Sequence, residues 1–262
     1  MRPPRSLAFA APRGGSCSGP AEPDPRKSLV AGRRLCVGLV LSLAVAFSWT
    51  AQAQVGPSPD QVARFAGLHA AAHKGDLAAL DRLLAARPAP AVLNARDGHG
   101  RTAVHVAAFA RQREAIRRLA QAGADLQLLE DDRYDAVTIA AVADDEETLR
   151  TLLQLGASAK LTTSRYDGTA LIAAAHLGHE GVVRQLIAAG APLDHVNNLH
   201  WTATIEAVVL GDGGPRHQAT LKALLDAGAS TKLADRAGRT PLELARSRGY
   251  REMVALLEAA RR

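Results

Sequence analysis

The chain has 262 residues, 47% hydrophobic and only 3% aromatic, with a net charge of +6. The surplus charge lies in residues 1–53, which hold seven Lys/Arg against two acids, while the remainder carries 25 basic and 24 acidic residues. That distribution argues against a nucleic-acid binder, and the confinement of Cys17 and Cys36 to the first 53 residues excludes disulfides, Cys-ligated zinc and a Cys nucleophile beyond them.

Residues 1–28 are rich in Pro, Gly, Ser and Arg and lack hydrophobic periodicity, which predicts disorder. Arg33-Arg34 then precede an apolar run over residues 35–47, and Ala51-Gln52-Ala53 follows. A basic start, a short apolar stretch and an A-x-A site predict a secretory signal peptide cleaved after Ala53. The run is too short for the ~20 residues of a membrane span. The expected destination is the periplasm or the exterior, with no stable membrane span after cleavage.

Residues 54–60 read as a linker, with Asp60 a candidate cap for a helix starting near Gln61. From there a unit repeats. Thr102, Asp135, Thr169, Thr202 and Thr240 hold one slot, and Gly123-Ala124, Gly156-Ala157, Gly190-Ala191 and Gly228-Ala229 hold another in the same phase. Six units result, at about 61–96, 97–129, 130–163, 164–196, 197–234 and 235–262. Each predicts a turn, a short Ala-rich helix, a break, a second apolar helix and a Gly stop. Neighbouring units bury each other's apolar faces in one continuous core. The acidic run Asp144-Asp145-Glu146-Glu147 reads as the N-terminus of a second helix. The fifth unit carries an insertion over Gly211–His217.

A period near 33 with cores such as Thr102-Ala103-Val104-His105-Val106-Ala107 and Thr240-Pro241-Leu242-Glu243-Leu244-Ala245 resembles the ankyrin repeat family over residues 61–262. The resemblance implies an all-α solenoid of helix-turn-helix units with projecting turns. It also implies a binding scaffold whose turn tips and concave helix face meet a protein partner. His69 and His105 fall in the family's histidine slot, where the ring bonds loop backbone.

The unit's geometry places Arg96, His99, Arg101, Arg133, Tyr134, Arg165, Tyr166, Asn198 and Trp201 at exposed tips, and His73, Lys74, Phe109, His176 and Leu177 on the groove side of the first helices. Exposed aromatics beside Arg are typical interface anchors, against the alternative that the rings pack on adjacent turns. In the fifth unit Glu206 takes a usually apolar slot, with His195, Asn197, Asn198 and His200 ahead of it, while Asp212, Arg216 and His217 lie in the nearby insertion. Of these, Glu206 and the three insertion residues carry the site reading. These four form a candidate small-ligand or anion site, unless Glu206 simply bonds the inserted loop. No motif for catalysis is present, and the sequence implies no cofactor, no metal and no enzymatic activity.

Overall fold

The computed structural model describes residues 56–260. The expected signal segment and its cleavage site lie outside the described residues. A short helix α1 (Pro59–Ala63) comes first, and its cap is Ser58 in place of the expected Asp60. Ser58 accepts from the Gln61 amide, and the Gln61 side chain accepts from the Ser58 amide, a reciprocal pair that satisfies two otherwise orphan donors.

Six helix pairs follow. They are α2 (Gly67–Lys74) with α3 (Leu77–Ala85), α5 (Ala103–Phe109) with α6 (Arg113–Gln121), α7 (Ala136–Val142) with α8 (Glu146–Gln154), α9 (Ala170–Leu177) with α10 (Glu180–Ala188), α11 (Ala203–Val209) with α12 (Pro215–Asp226), and α13 (Pro241–Ser247) with α14 (Arg251–Ala260). A one-turn helix, α4 (Pro90–Leu93), fills the Pro-rich stretch after α3 and buries Leu93. First helices pack on first helices from α2 to α13, and second on second from α3 to α14.

Local chemistry sets the boundaries. The side chains of Asp135, Thr169, Thr202 and Thr240 each accept a backbone amide three residues on. Asp145 does the same for α8, and Glu146 and Glu147 in its first turn suit the positive end of the helix. The second helices end before Gly123, Gly156, Gly190 and Gly228, all at positive φ, where an L side chain is strained.

Burial follows the helical period. Ile116 and Leu119, Leu149 and Leu152, Val183 and Leu186, Leu221 and Leu224, and Met253 and Leu257 are fully enclosed pairs three or four residues apart. Each such side chain contributes roughly 1.5–3 kcal/mol through burial. On the first helices Ala107, Ala140-Ala141 and Ala174-Ala175 are equally enclosed, and their small size permits close stacking. The core runs through every helix pair, with α11 and α12 contributing to both of its parts. Among the described residues it divides in two, the second built on Ile205, Val208, Leu221, Leu242, Leu244, Ala245, Met253 and Leu257. The division falls in repeat five, where Thr204, Glu206 and Thr220 occupy buried positions.

Candidate partner-binding surface

Each pair of helices is joined to the next by a projecting tip, and the tips share one construction. A backbone amide closes each loop onto a carbonyl four or five residues on: Asp97 to Arg101, Glu130 to Tyr134, Thr163 to Gly168, Asn197 to Trp201 and Asp235 to Arg239. In the repeat-two, -five and -six tips the first residue's side chain also accepts amides from inside the loop. Positive φ recurs near the end of each loop, at Gly100, Arg133, Asp167, His200 and Gly238.

Neighbouring tips are bonded in series. The amides of Asp131, Ser164 and Asn198 donate to the carbonyls of His99, Arg133 and Tyr166. Arg96 donates to the Leu129 carbonyl at 2.7 Å, Arg133 pairs with Asp167 at 2.8 Å, and Arg165 pairs with Asp132. Asn198 donates to the Arg165 carbonyl, and Arg236 to that of Asn198. The tip residues Arg96, Arg133, Arg165 and Asn198 are therefore exposed and engaged at once.

Arg101 departs from expectation. It is buried, its side chain only 5% exposed, with its guanidinium 2.8 Å from Asp97. Burial raises the Asp97 pKa, but the amides of Arg101 and His99 and the Arg101 side chain outweigh it and leave the carboxyl below its ordinary value. The three aromatic tips also differ. Tyr134 and Trp201 are half-buried and pack against the first and second core clusters respectively. Tyr166 stands 47% exposed. The ring of His69 bonds the Arg101 carbonyl at 2.8 Å and that of His105 the Tyr134 carbonyl at 3.2 Å, so both histidines fasten their repeat to the next tip.

The inner face of repeats one and two holds residues for which sequence reasoning assigned no site. A Cβ placed on Gly56 would stand 3.3 Å from Cδ1 of Phe109, at the end of α5. The side-chain Nε2 of Gln61 lies 2.8 Å from Nε2 of His99, and Arg101 donates to Oε1 of Gln61 at 3.0 Å. The Phe65 ring sits 6.0 Å from that of His69 and 5.8 Å from that of His73, with the Arg101 guanidinium over it at 5.9 Å. Residues 56–65 thus meet His99, Arg101 and Phe109, three of the expected partner contacts. A helix start near Gln61 was legible, with Asp60 and not Ser58 as its expected cap, but nothing local signalled where that helix docks.

Repeat five is organised around His176 of repeat four. Glu206 is 4% exposed. Its Oε1 accepts from the side-chain Nδ2 of Asn197 at 3.1 Å, and its Oε2 lies 3.3 Å from Nδ1 of His176 without hydrogen-bond geometry. Glu206 is hydrogen-bonded to none of Asp212, Arg216 and His217 among the described residues. The expected tie from Glu206 to the inserted loop is therefore replaced by one to the Asn197 tip. His217 makes the loop's tie to repeat four, with Nε2 2.9 Å from the His176 carbonyl and Nδ1 3.0 Å from Asp212. The Gly214 amide and the His217 ring hold the Asp212 carboxyl below its ordinary pKa. Arg216 reaches Asp144 of repeat three at 3.0 Å, and Tyr250 donates to the Gly211 carbonyl at 3.1 Å. The loop itself is short, because Pro215 already begins α12. At Gly178, which closes α9 at φ +69°, a Cβ would meet the His217 ring at 3.1 Å.

Stacked helix pairs with capped, serially bonded tips and an exposed inner face define a repeat scaffold. Three copies of the ankyrin repeat family model match residues 68–163, 137–235 and 171–260. The chain belongs to the ankyrin repeat family. It is 35% identical over 191 residues to an Escherichia coli (strain K12) protein named "Putative ankyrin repeat protein YahD", covering 72% of this chain and 93% of that one. An ankyrin repeat domain from Acinetobacter baumannii AYE aligns with a TM-score of 0.68 and 43% identity, over 74% of this chain and 96% of that one. The ankyrin repeat protein EF0377 aligns with the same TM-score and 30% identity, over 73% and 96%. A likeness of fold alone extends to the complex of the Bdellovibrio bacteriovorus predatory endopeptidase Bd0816 with immunity protein Bd3460, at a TM-score of 0.58 and 23% identity, over 74% and 98%. Ankyrin repeats are in general non-enzymatic protein-interaction modules.

Proposed function

We propose that this protein is an exported, non-catalytic scaffold that holds a protein partner against the inner face and tips of repeats three to five. The observation that carries this is Tyr166. Among the described residues it is the one large aromatic at a tip that is exposed, and it stands in the same repeat as His176 and Leu177, half-exposed on α9. A rigid aromatic supplies much contact area at little entropic cost, which suits it as an anchor. The balanced charge of residues 54–262 favours a protein over a nucleic acid. Among the described residues no helix is long and apolar enough to cross a membrane. The basic start, short apolar run and A-x-A site support release by cleavage after Ala53 into the periplasm or the exterior.

The test is mild crosslinking and affinity purification from the exported fraction, with Tyr166→Ala and His176→Ala as the control and circular dichroism as the check on folding. A specific protein captured by the parent and lost in the control is the expected result. A protein retained equally by both would refute the assigned surface. N-terminal sequencing of the purified material tests export, and a start at Met1 would refute cleavage. A small-ligand site on the repeat-five insertion is the weaker reading, because Asp212, Arg216 and His217 are each bonded within the protein.

A further inference from the structure

We propose that the inner face of repeats one and two is a peptide site filled in cis by residues 56–65, a strap that closes this end of the surface until a segment of like chemistry displaces it. The strap enters beside Phe109, turns through α1, sets Gln61 between His99 and Arg101, and ends with Phe65 against His69 and His73. It thus spans the surface from the end of a first helix to a tip.

Its attachment is that of a docked ligand more than of a repeat. No residue of α1 is buried. A five-residue helix has no stability of its own in water, so α1 exists only through its cap and its contacts with repeats one and two. Those contacts come from few side chains, chiefly Gln61 and Phe65. Gly67 follows at φ +52°, and a Cβ there would meet nothing within 4 Å, so the strap's junction with α2 is unobstructed. The chemistry read out is a helical turn opened by Ser-Pro, a Gln at its third position and an aromatic four residues later.

The probe is a fluorescent peptide of residues 55–66, titrated by anisotropy against the parent chain and against the Gln61→Ala/Phe65→Ala variant. In the parent the tethered copy competes at high effective concentration. The variant is expected to bind the peptide at least ~10-fold more tightly than the parent does, and a peptide carrying the same two changes is expected not to bind. No saturable binding by a folded variant, or equal binding by parent and variant, would overturn the proposal.

Hydrogen exchange on the parent supplies a second measurement that needs no variant. The Arg64 and Phe65 amides, bonded to Gln61 and Val62 carbonyls, are expected to exchange at least ~10-fold faster than that of Val106 in α5, through local opening. Exchange of both sets only on global unfolding would make the strap a fixed part of the fold and overturn its displacement. Closure regulates access only if the partner proposed above for repeats three to five also reaches the inner face of repeats one and two. Neither measurement uses a partner, so failure here is distinguishable from failure of the capture experiment.

Discussion

Acidification should unfasten repeat two through His105. The residue is 2% exposed at the third position of α5. Its Nδ1 accepts from the Thr102 amide at 3.1 Å and lies 2.8 Å from the Thr102 hydroxyl, while Nε2 donates to the Tyr134 carbonyl. One nitrogen accepts and the other donates, which is the neutral ring. Burial is the largest influence and pulls the pKa from 6.5 down to about 4, against the opposing pull of the Tyr134 and Leu128 carbonyls. As pH falls through 6.5 the unfolded chain therefore takes up a proton that the folded chain refuses. The stabilisation is full above 6.5 and disappears between there and about 4. That interval corresponds to roughly 3 kcal/mol, of which about 2 kcal/mol is lost by pH 5. Urea unfolding of the parent and of His105→Gln between pH 7 and pH 5 measures it. Gln in this position can still serve the Thr102 amide but loses the reach to Tyr134, at about 1 kcal/mol near neutrality. The variant should then lose about 2 kcal/mol less than the parent over the interval. A parallel loss in both proteins would refute the role of His105.

Three further substitutions probe the tips and caps. Arg101→Met leaves Asp97 without its buried partner and should cost about 3 kcal/mol in chemical denaturation; a cost below about 1 kcal/mol would show the pair behaving as a surface ion pair. His200→Gly relieves a non-glycine residue held at φ +63° and should raise stability by up to about 1 kcal/mol, with an unchanged melting temperature counting against strain there. Asp135 is 1% exposed with Oδ2 unpartnered, and burial pushes its pKa up. Asp135→Thr restores the residue used at Thr169 and Thr202 and should gain about 1 kcal/mol near neutrality. A raised carboxyl pKa destabilises the parent more as pH rises, so the gain should shrink in acid, and a gain independent of pH would contradict the cause.

The repeats were legible because their signals are local. A Thr or Asp cap acts on an amide three residues away, a Gly stop acts on its own φ, and the Leu, Ile and Val pairs recur within one helix turn. The serial bonding of the tips was not legible, since each bond spans about one repeat, as from Arg96 to Leu129 or Arg133 to Asp167. Arg101 reads as exposed because it sits in a tip, yet its burial depends on Gln61, 40 residues earlier, and on Phe65. Likewise Glu206 was singled out correctly as a polar residue in an apolar slot, but its partner Asn197 lies in the tip before α11, on the opposite side from the insertion that the sequence suggested.

That serial bonding bears on specificity. A scaffold must hold its tips in fixed relation if several of them are to meet one partner, because otherwise binding would have to order each loop in turn. Arg96, Arg133, Arg165, Asn198 and Arg236 supply this order in advance by bonding the next or preceding tip. A guanidinium already paired across two tips must break or share that pair to serve a partner, so its net contribution to affinity is reduced. On the scaffold reading proposed above, discrimination would then fall to groups that the fold leaves accessible. At the tips these groups include Tyr166, and on α9 they include Leu177 and the His176 ring, which leans toward Glu206. Removing a tip arginine should accordingly loosen the array and weaken binding to any partner alike, whereas removing the Tyr166 ring should weaken binding to the cognate partner while leaving the array intact.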